Sequence, residues 1–183
     1  MASSTLYSIE IEKQLGDFWL PRIYRERILT VRTRSYQFPP IAKGASPEIH
    51  HTLLGIELKV GRQRMLCPDL ATARYLAVFA RTGCKAVAVP YDITMISHLA
   101  DQLESSWHRM LLLVDKPASD QSPAFHARVR RLLIGKVRDE ITAAGAGTRI
   151  PEFKQSTRQT DKAQEAQVRN EKRQPFDEAT KLK

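Results

Sequence analysis

Apolar positions along this chain change period several times, and each change marks an element. Between residues 8 and 20, Ile11, Leu15, Phe18 and Trp19 recur at helical spacing behind Ser8, which predicts a capped helix ended by Pro21. A short strand through Tyr7, Ile9 and Ile11 is the competing assignment. Residues 27–38 alternate, with Leu29, Val31 and Thr33 to one side and Thr30, Arg32, Arg34 and Tyr36 to the other. That is the pattern of a half-buried strand, stopped by Pro39 and Pro40. After the loop IAKGASPE, strands are predicted over 51–60 and 63–67. Gly61-Arg62 joins them, and its leading glycine suits a two-residue type II′ turn.

Pro68 and Asp69 then open a helix to about Arg81, with Leu70, Ala73, Leu76, Ala77 and Ala80 on its buried face and Tyr75 and Phe79 flanking. Gly83 is a natural left-handed stop. Lys85–Pro90 is short and apolar, as in a sheet covered on both faces. Asp92 caps a helix along Ile93, Ile96, Leu99 and Leu103, and Ser105-Ser106 is expected to end it. Trp107–Val114 then reads as a last buried strand, or as a continuation of the same helix. Ser122 and Pro123 start a final helix along Phe125, Val129, Leu132 or Leu133, Val137 and Ile141, with Gly145 beyond its end.

The sum is an α/β or α+β domain over 5–147: a mixed sheet with an antiparallel meander plus helix–strand units, flanked by helices. From 148 to 183 aliphatic residues become rare, and Gln, Lys, Arg, Glu and Thr dominate. Such a segment buries too little apolar surface to offset its ordering entropy, so a disordered basic tail is expected.

Charge adds a direction. The formal net charge is +9, with an excess of +4 over 1–66, none over 67–116, +2 over 117–147 and +3 over 148–183. The apolar centre is neutral and the positive charge lies on its flanks, a field that attracts phosphate backbones. The longest apolar runs, Met110–Val114 and Ala86–Pro90, are too short to cross a bilayer, and the acidic N-terminal stretch does not resemble a secretory leader. A cytoplasmic location without membrane association is expected. Cys67 and Cys84 lack metal-site spacing and read as buried thiols.

Two constellations carry candidate chemistry. Glu57-x-Lys59 puts a carboxylate and an ammonium on one face of a strand, the arrangement a metal-dependent phosphodiesterase uses to hold a divalent cation and offset charge on phosphate. Over residues 8–91 the chain resembles the PD-(D/E)xK nuclease superfamily, including the Holliday-junction resolvases. The resemblance rests on Glu57-x-Lys59, on Pro47-Glu48 upstream, on Glu10 or Glu12 in the first helix, and on the later helix and strand. It implies Glu57 and Lys59 as catalytic residues, and Glu48, Glu57 and Glu10 around Mg²⁺ or Mn²⁺. The chain departs from the family in placing Gln63–Cys67 between the E-x-K strand and the helix, and Glu48 where an Asp is usual. Apart from the resemblance, Glu57 and Lys59 also fit the solvent face of an ordinary strand.

The second constellation is basic. Arg32, Arg34 and Tyr36 share one side of a strand, with Lys43 in the following loop and Arg62 and Arg64 at the hairpin turn. Sheets that bind nucleic acid offer cations to phosphates and an aromatic ring to bases. Arg128 and Arg131 on the last helix extend the charge. Glycine-rich phosphate loops and nucleophile elbows are absent from the sequence, so no cofactor is expected beyond Mg²⁺ or Mn²⁺ in the nuclease case. Asp92 follows a buried strand, where α/β proteins form ligand sites, but helix capping accounts for it. The leading expectation is a non-catalytic nucleic-acid-binding protein. The alternatives are a divalent-metal nuclease and a protein–protein adaptor whose tail takes a partner.

Overall fold

The computed structural model describes residues 4–40, 45–116 and 122–147. Lys43 and the expected tail, 148–183, lie outside the described residues. The chain begins with α1 (Ser4–Leu15), one turn earlier than the sequence predicts, so Ser8 is interior and its hydroxyl donates to the Thr5 carbonyl at 2.8 Å instead of capping. Ile11 and Leu15 are buried and Ile9 is exposed, a helical period that removes the competing strand. A 3-10 turn (Gly16–Phe18) follows, and Phe18 is exposed at its end with the Arg109 guanidinium 3.8 Å from its ring centre. Pro21 does not terminate a helix. It sits in the first turn of α2 (Leu20–Ile23), where its missing N–H has no partner to lose.

The helix then widens into a π turn (Tyr24–Ile28), closed by Leu29 N–H to the Tyr24 carbonyl at 3.0 Å. The wider turn keeps both Tyr24 and Ile28 fully buried. It also consumes the residues expected to start a strand: Leu29 and Val31 lie in a turn, and β1 is only Thr33–Gln37. The strand expected over 51–60 is really a hairpin, β2 (Pro47–Thr52) and β3 (Gly55–Val60). Thr52 builds the turn, its hydroxyl donating to Gly55 O at 3.0 Å and accepting Leu54 N–H at 3.3 Å. Leu53 and Leu54 are exposed at its tip. The next turn carries Gly61 at φ 61°, the positive value its hairpin role requires, and leads into β4 (Gln63–Cys67).

α3 (Leu70–Thr82) starts where predicted. Asp69 accepts Thr72 N–H at 2.7 Å, and Gly83 closes the helix in the left-handed region. Leu70 is exposed, contrary to expectation, while Tyr75 and Phe79 are fully buried. The reason is that α3 lies between the β2–β4 sheet and α4, so more than one stripe is covered. β5 (Ala86–Pro90) pairs antiparallel with β1. The expected single mixed sheet is therefore two antiparallel sheets, β1-β5 and β2-β3-β4, because α3 carries the chain from one to the other. Buried tyrosines satisfy the edge of β5 away from β1: Ala88 N–H donates to the Tyr24 hydroxyl at 2.8 Å and Ala88 O accepts the Tyr75 hydroxyl at 2.6 Å. The α/β class holds in this form.

Serines do not interrupt α4, which runs unbroken over Ile93–Asp115, and Trp107–Val114 is helix, not strand. Ile96, Leu99, Leu103, Trp107, Met110 and Val114 form one continuous buried stripe, so packing overrides the weak local break. Ser106 is buried within it and its hydroxyl has no hydrogen-bond partner among the described residues. We therefore expect Ser106→Ala to raise stability by about 1 kcal/mol in urea unfolding, since the unsatisfied hydroxyl is the only group removed; a loss would show that the hydroxyl is bonded. α5 (Pro123–Ala144) is capped by Ser122, which accepts Phe125 N–H at 3.3 Å. It buries Val129, Leu133, Val137 and Ile141, leaving Leu132 exposed.

Candidate functional site

Pleat and register place Glu48 and His50 of β2, Glu57 and Lys59 of β3, and Arg64 and Leu66 of β4 on one face of their sheet. Glu57 and Lys59 thus share a face as the sequence implies. Each already has a partner. Lys59 Nζ and His50 Nε2 both reach Glu48 Oε2 at 3.2 Å, and hydrogen bonds from His50 and then Lys59 hold the Glu48 carboxyl below its ordinary range. Glu57, with a side chain 15% exposed, lies 3.6 Å from Arg64. Glu10 on α1 accepts the Gln14 amide instead. Among the described residues no three His, Cys, Asp or Glu side chains form a group able to hold a metal ion. Glu10, Glu48 and Glu57 are accordingly not brought together as the resemblance implies.

The basic row is also rearranged. Arg34 stands opposite Val89 and Tyr36 opposite Val87, and both valines are buried. The side of β1 that carries Arg32, Arg34 and Tyr36 is therefore no open face; it closes progressively toward Tyr36. Tyr36 is half-buried, edge-on to Phe38 at 5.1 Å, and burial, then the neighbouring Cys67, pushes its phenol up. Arg32 is exposed, while Arg34 and Tyr36 are half-buried. Arg62 and Arg64 belong to the other sheet, and Arg128 and Arg131 are exposed on α5.

What the fold assembles instead is a groove beside Arg32. The π turn directs Arg27 outward, and Thr30 and Val31 follow in the turn before β1. β5 ends at Pro90, and Tyr91 N–H continues the ladder to Arg32 O at 3.2 Å. Asp92 then caps α4, accepting Thr94 N–H at 2.9 Å and its hydroxyl at 2.7 Å, bonds that hold the Asp92 carboxyl below its usual range. Helical spacing brings Thr94, His98 and Gln102, with Met95 and Leu99, against the 27–31 segment. The space between them is about 510 Å³. Arg27 Nη1 donates to Gln102 Oε1 at 2.7 Å, and Gln102 Nε2 lies 2.7 Å from His98 Nε2. Arg32, which follows Val31 in the chain, does not line the groove; its guanidinium stands 5.1 Å from the centre of the Tyr91 ring, which is 45% exposed.

Some cations are met by carboxylates: Arg22 by Asp17 and Glu26, Arg25 by Glu140, Arg74 by Asp101 and Glu104, Arg130 by Asp115, Lys136 by Glu12; Arg62, Arg81, Arg109, Arg128 and Arg131 have none within salt-bridge distance among the described residues. Arg27, Arg32 and Arg34 have no carboxylate within salt-bridge distance among the described residues. Sequence reading found Arg32 but missed Arg27, Tyr91, His98 and Gln102. The one available signal was Asp92, placed just after a buried strand.

The fold and groove together define an α/β protein with two antiparallel sheets and an open groove between residues 27–31 and the first turns of α4, bordered by Arg27. Comparison with known proteins finds no family model, no curated protein and no solved structure that matches this chain. No helix among the described residues is long and apolar enough to cross a membrane.

Proposed function

We propose that this chain is a nucleic-acid-binding protein of the cytosol, non-catalytic in itself, whose contact surface is centred on Arg32 and Tyr91. The observation that carries the reading is the exposed Arg32–Tyr91 pair, with Arg27 in the preceding π turn bonded to Gln102 and not to a carboxylate. Cations without carboxylate partners can neutralise phosphates, and an exposed ring backed by a guanidinium is a stacking platform for a base. The net charge of +9 favours encounter with a polyanion. Relative to the strand face expected from sequence, the surface moves from Arg34 and Tyr36 toward the turn before β1.

The reading is tested by fluorescence anisotropy with labelled single- and double-stranded DNA and RNA across a salt series. Arg32→Ala is expected to weaken binding and to reduce the slope of log K against log salt by about one, as for a lost phosphate contact. Tyr91→Ala is expected to weaken binding by about tenfold with the slope unchanged, as for lost stacking. Unchanged affinity in both variants rejects this surface. Denaturing gels of the same mixtures with Mg²⁺ or Mn²⁺ report whether strands are cut, and Glu57→Ala then examines the nuclease alternative.

A further inference from the structure

We propose that the groove between residues 27–31 and the first turns of α4 is a subsite for a single unstacked nucleotide, which makes single-stranded nucleic acid the ligand. This rests on the nucleic-acid reading above and specifies the form of ligand it takes. The space, about 510 Å³, lies within the range of small-ligand sites. Its apolar part is Val31, Met95 and Leu99, and a thioether beside branched aliphatics offers a polarizable surface to a planar ring. Its polar part is a chain of three groups, Arg27, Gln102 and His98, held by bonds of 2.7 Å and 2.7 Å.

These bonds leave recognition capacity in place. Arg27 uses one N–H on Gln102 and keeps its others for a phosphate. Gln102 accepts from Arg27 through its oxygen and meets His98 through its nitrogen, so a lone pair and an N–H remain. An amide presenting one of each is the functional pair with which glutamine reads a base edge. Because Arg27 and His98 already orient it, little rotamer freedom is lost on binding. Arg32 directly follows the groove residue Val31 in the chain and carries the Tyr91 ring with it, a platform for the adjoining base of a strand. A duplex must unpair and extrude a base to fill such a site, whereas a single strand offers one without that cost. An aliphatic anion would fill the apolar part but leave the amide and imidazole unmatched.

The experiment titrates the full chain with AMP, GMP, CMP and UMP, with inorganic phosphate and with laurate, followed by calorimetry and by backbone NMR shifts. Saturable nucleotide binding is expected, with shifts centred on Met95, His98 and Gln102 and affinity about tenfold above that for phosphate, the scale of one good edge contact. Gln102→Ala should reduce nucleotide affinity about tenfold and leave that for phosphate unchanged, with Arg27→Ala weakening both. Phosphate binding as tight as nucleotide binding overturns the inference, as does laurate saturating the groove while nucleotides do not. If mononucleotides fail while an oligonucleotide still binds through Arg32 and Tyr91, the subsite falls and the nucleic-acid reading stands. Failure of both ligands removes both.

Discussion

Tyr24→Phe is expected to destabilise the protein by about 2–3 kcal/mol, a large share of a typical domain's stability. The ring stays and only the hydroxyl is lost. That hydroxyl accepts Ala88 N–H at 2.8 Å and donates to Gly145 O at 2.6 Å, linking the outer edge of β5 to the end of α5. Ala88 is fully buried, so its N–H finds no water when the tyrosine oxygen goes, whereas Gly145 is only part-buried and its carbonyl can be rehydrated. Most of the effect therefore comes from one orphaned donor. Urea unfolding of both proteins measures it, and a difference below about 1 kcal/mol would mean that Ala88 N–H has another acceptor.

The same residue predicts the alkaline limit of the fold. Burial pushes the Tyr24 phenol up to about 12, partly offset by the bond from Ala88, and burial raises Tyr75 as well. The folded state favours the protonated form, while in the unfolded chain a tyrosine ionises near 10. The contribution of Tyr24 is thus fully present below pH ~10 and is lost as pH rises toward ~12, an effect of about 3 kcal/mol. Melting temperature should fall steeply across that window in the parent and less steeply in Tyr24→Phe. Parallel curves would show that Tyr24 does not contribute to the loss.

Gly147→Ala is expected to cost about 2–4 kcal/mol, well above the ~1 kcal/mol expected for Gly83→Ala. The two glycines have nearly the same backbone angle, φ 78° and 76°, so both substitutions carry the left-handed penalty. Their surroundings differ. A Cβ on Gly83 meets nothing within 4 Å, while one on Gly147 falls 2.6 Å from Thr33 Oγ1 and 3.0 Å from Ala88 Cβ. Thr33 and Ala88 are buried in the paired strands β1 and β5, so relief requires moving a ladder and not a surface side chain. Equal costs at the two positions would mean that the chain after α5 shifts freely off the sheet.

Both predictions concern the place where β5, the π turn and the end of α5 meet, and none of these contacts was legible in the sequence. What was legible is local. Asp69, Gly83, Ser122 and Gly61 act where they were expected to, because caps and tight turns depend on residues within about four positions. The side-by-side placement of Glu57 and Lys59 follows from pleat alone. The misreadings share a cause. Alternation at 29–33 belongs to a turn after a π helix, Ser105-Ser106 fails to break α4, and Leu53-Leu54 tops a hairpin; in each case burial elsewhere outweighed a weak local preference.

The candidate site was less legible still, since Arg27, Arg32, Tyr91, His98 and Gln102 come from separate stretches whose spacing carries no motif. The sequence by itself determined the α/β class, both ends of α3 and α5 and the start of α4, and the sign and displacement of the charge, because these depend on short-range geometry and on composition. Only the tertiary structure decided that the strands form two sheets, that the E-x-K residues meet Glu48 and Arg64, and that Arg27, Gln102 and His98 border one groove. Those outcomes depend on which side chains compete for the same partners across the fold, and sequence separation does not record that competition.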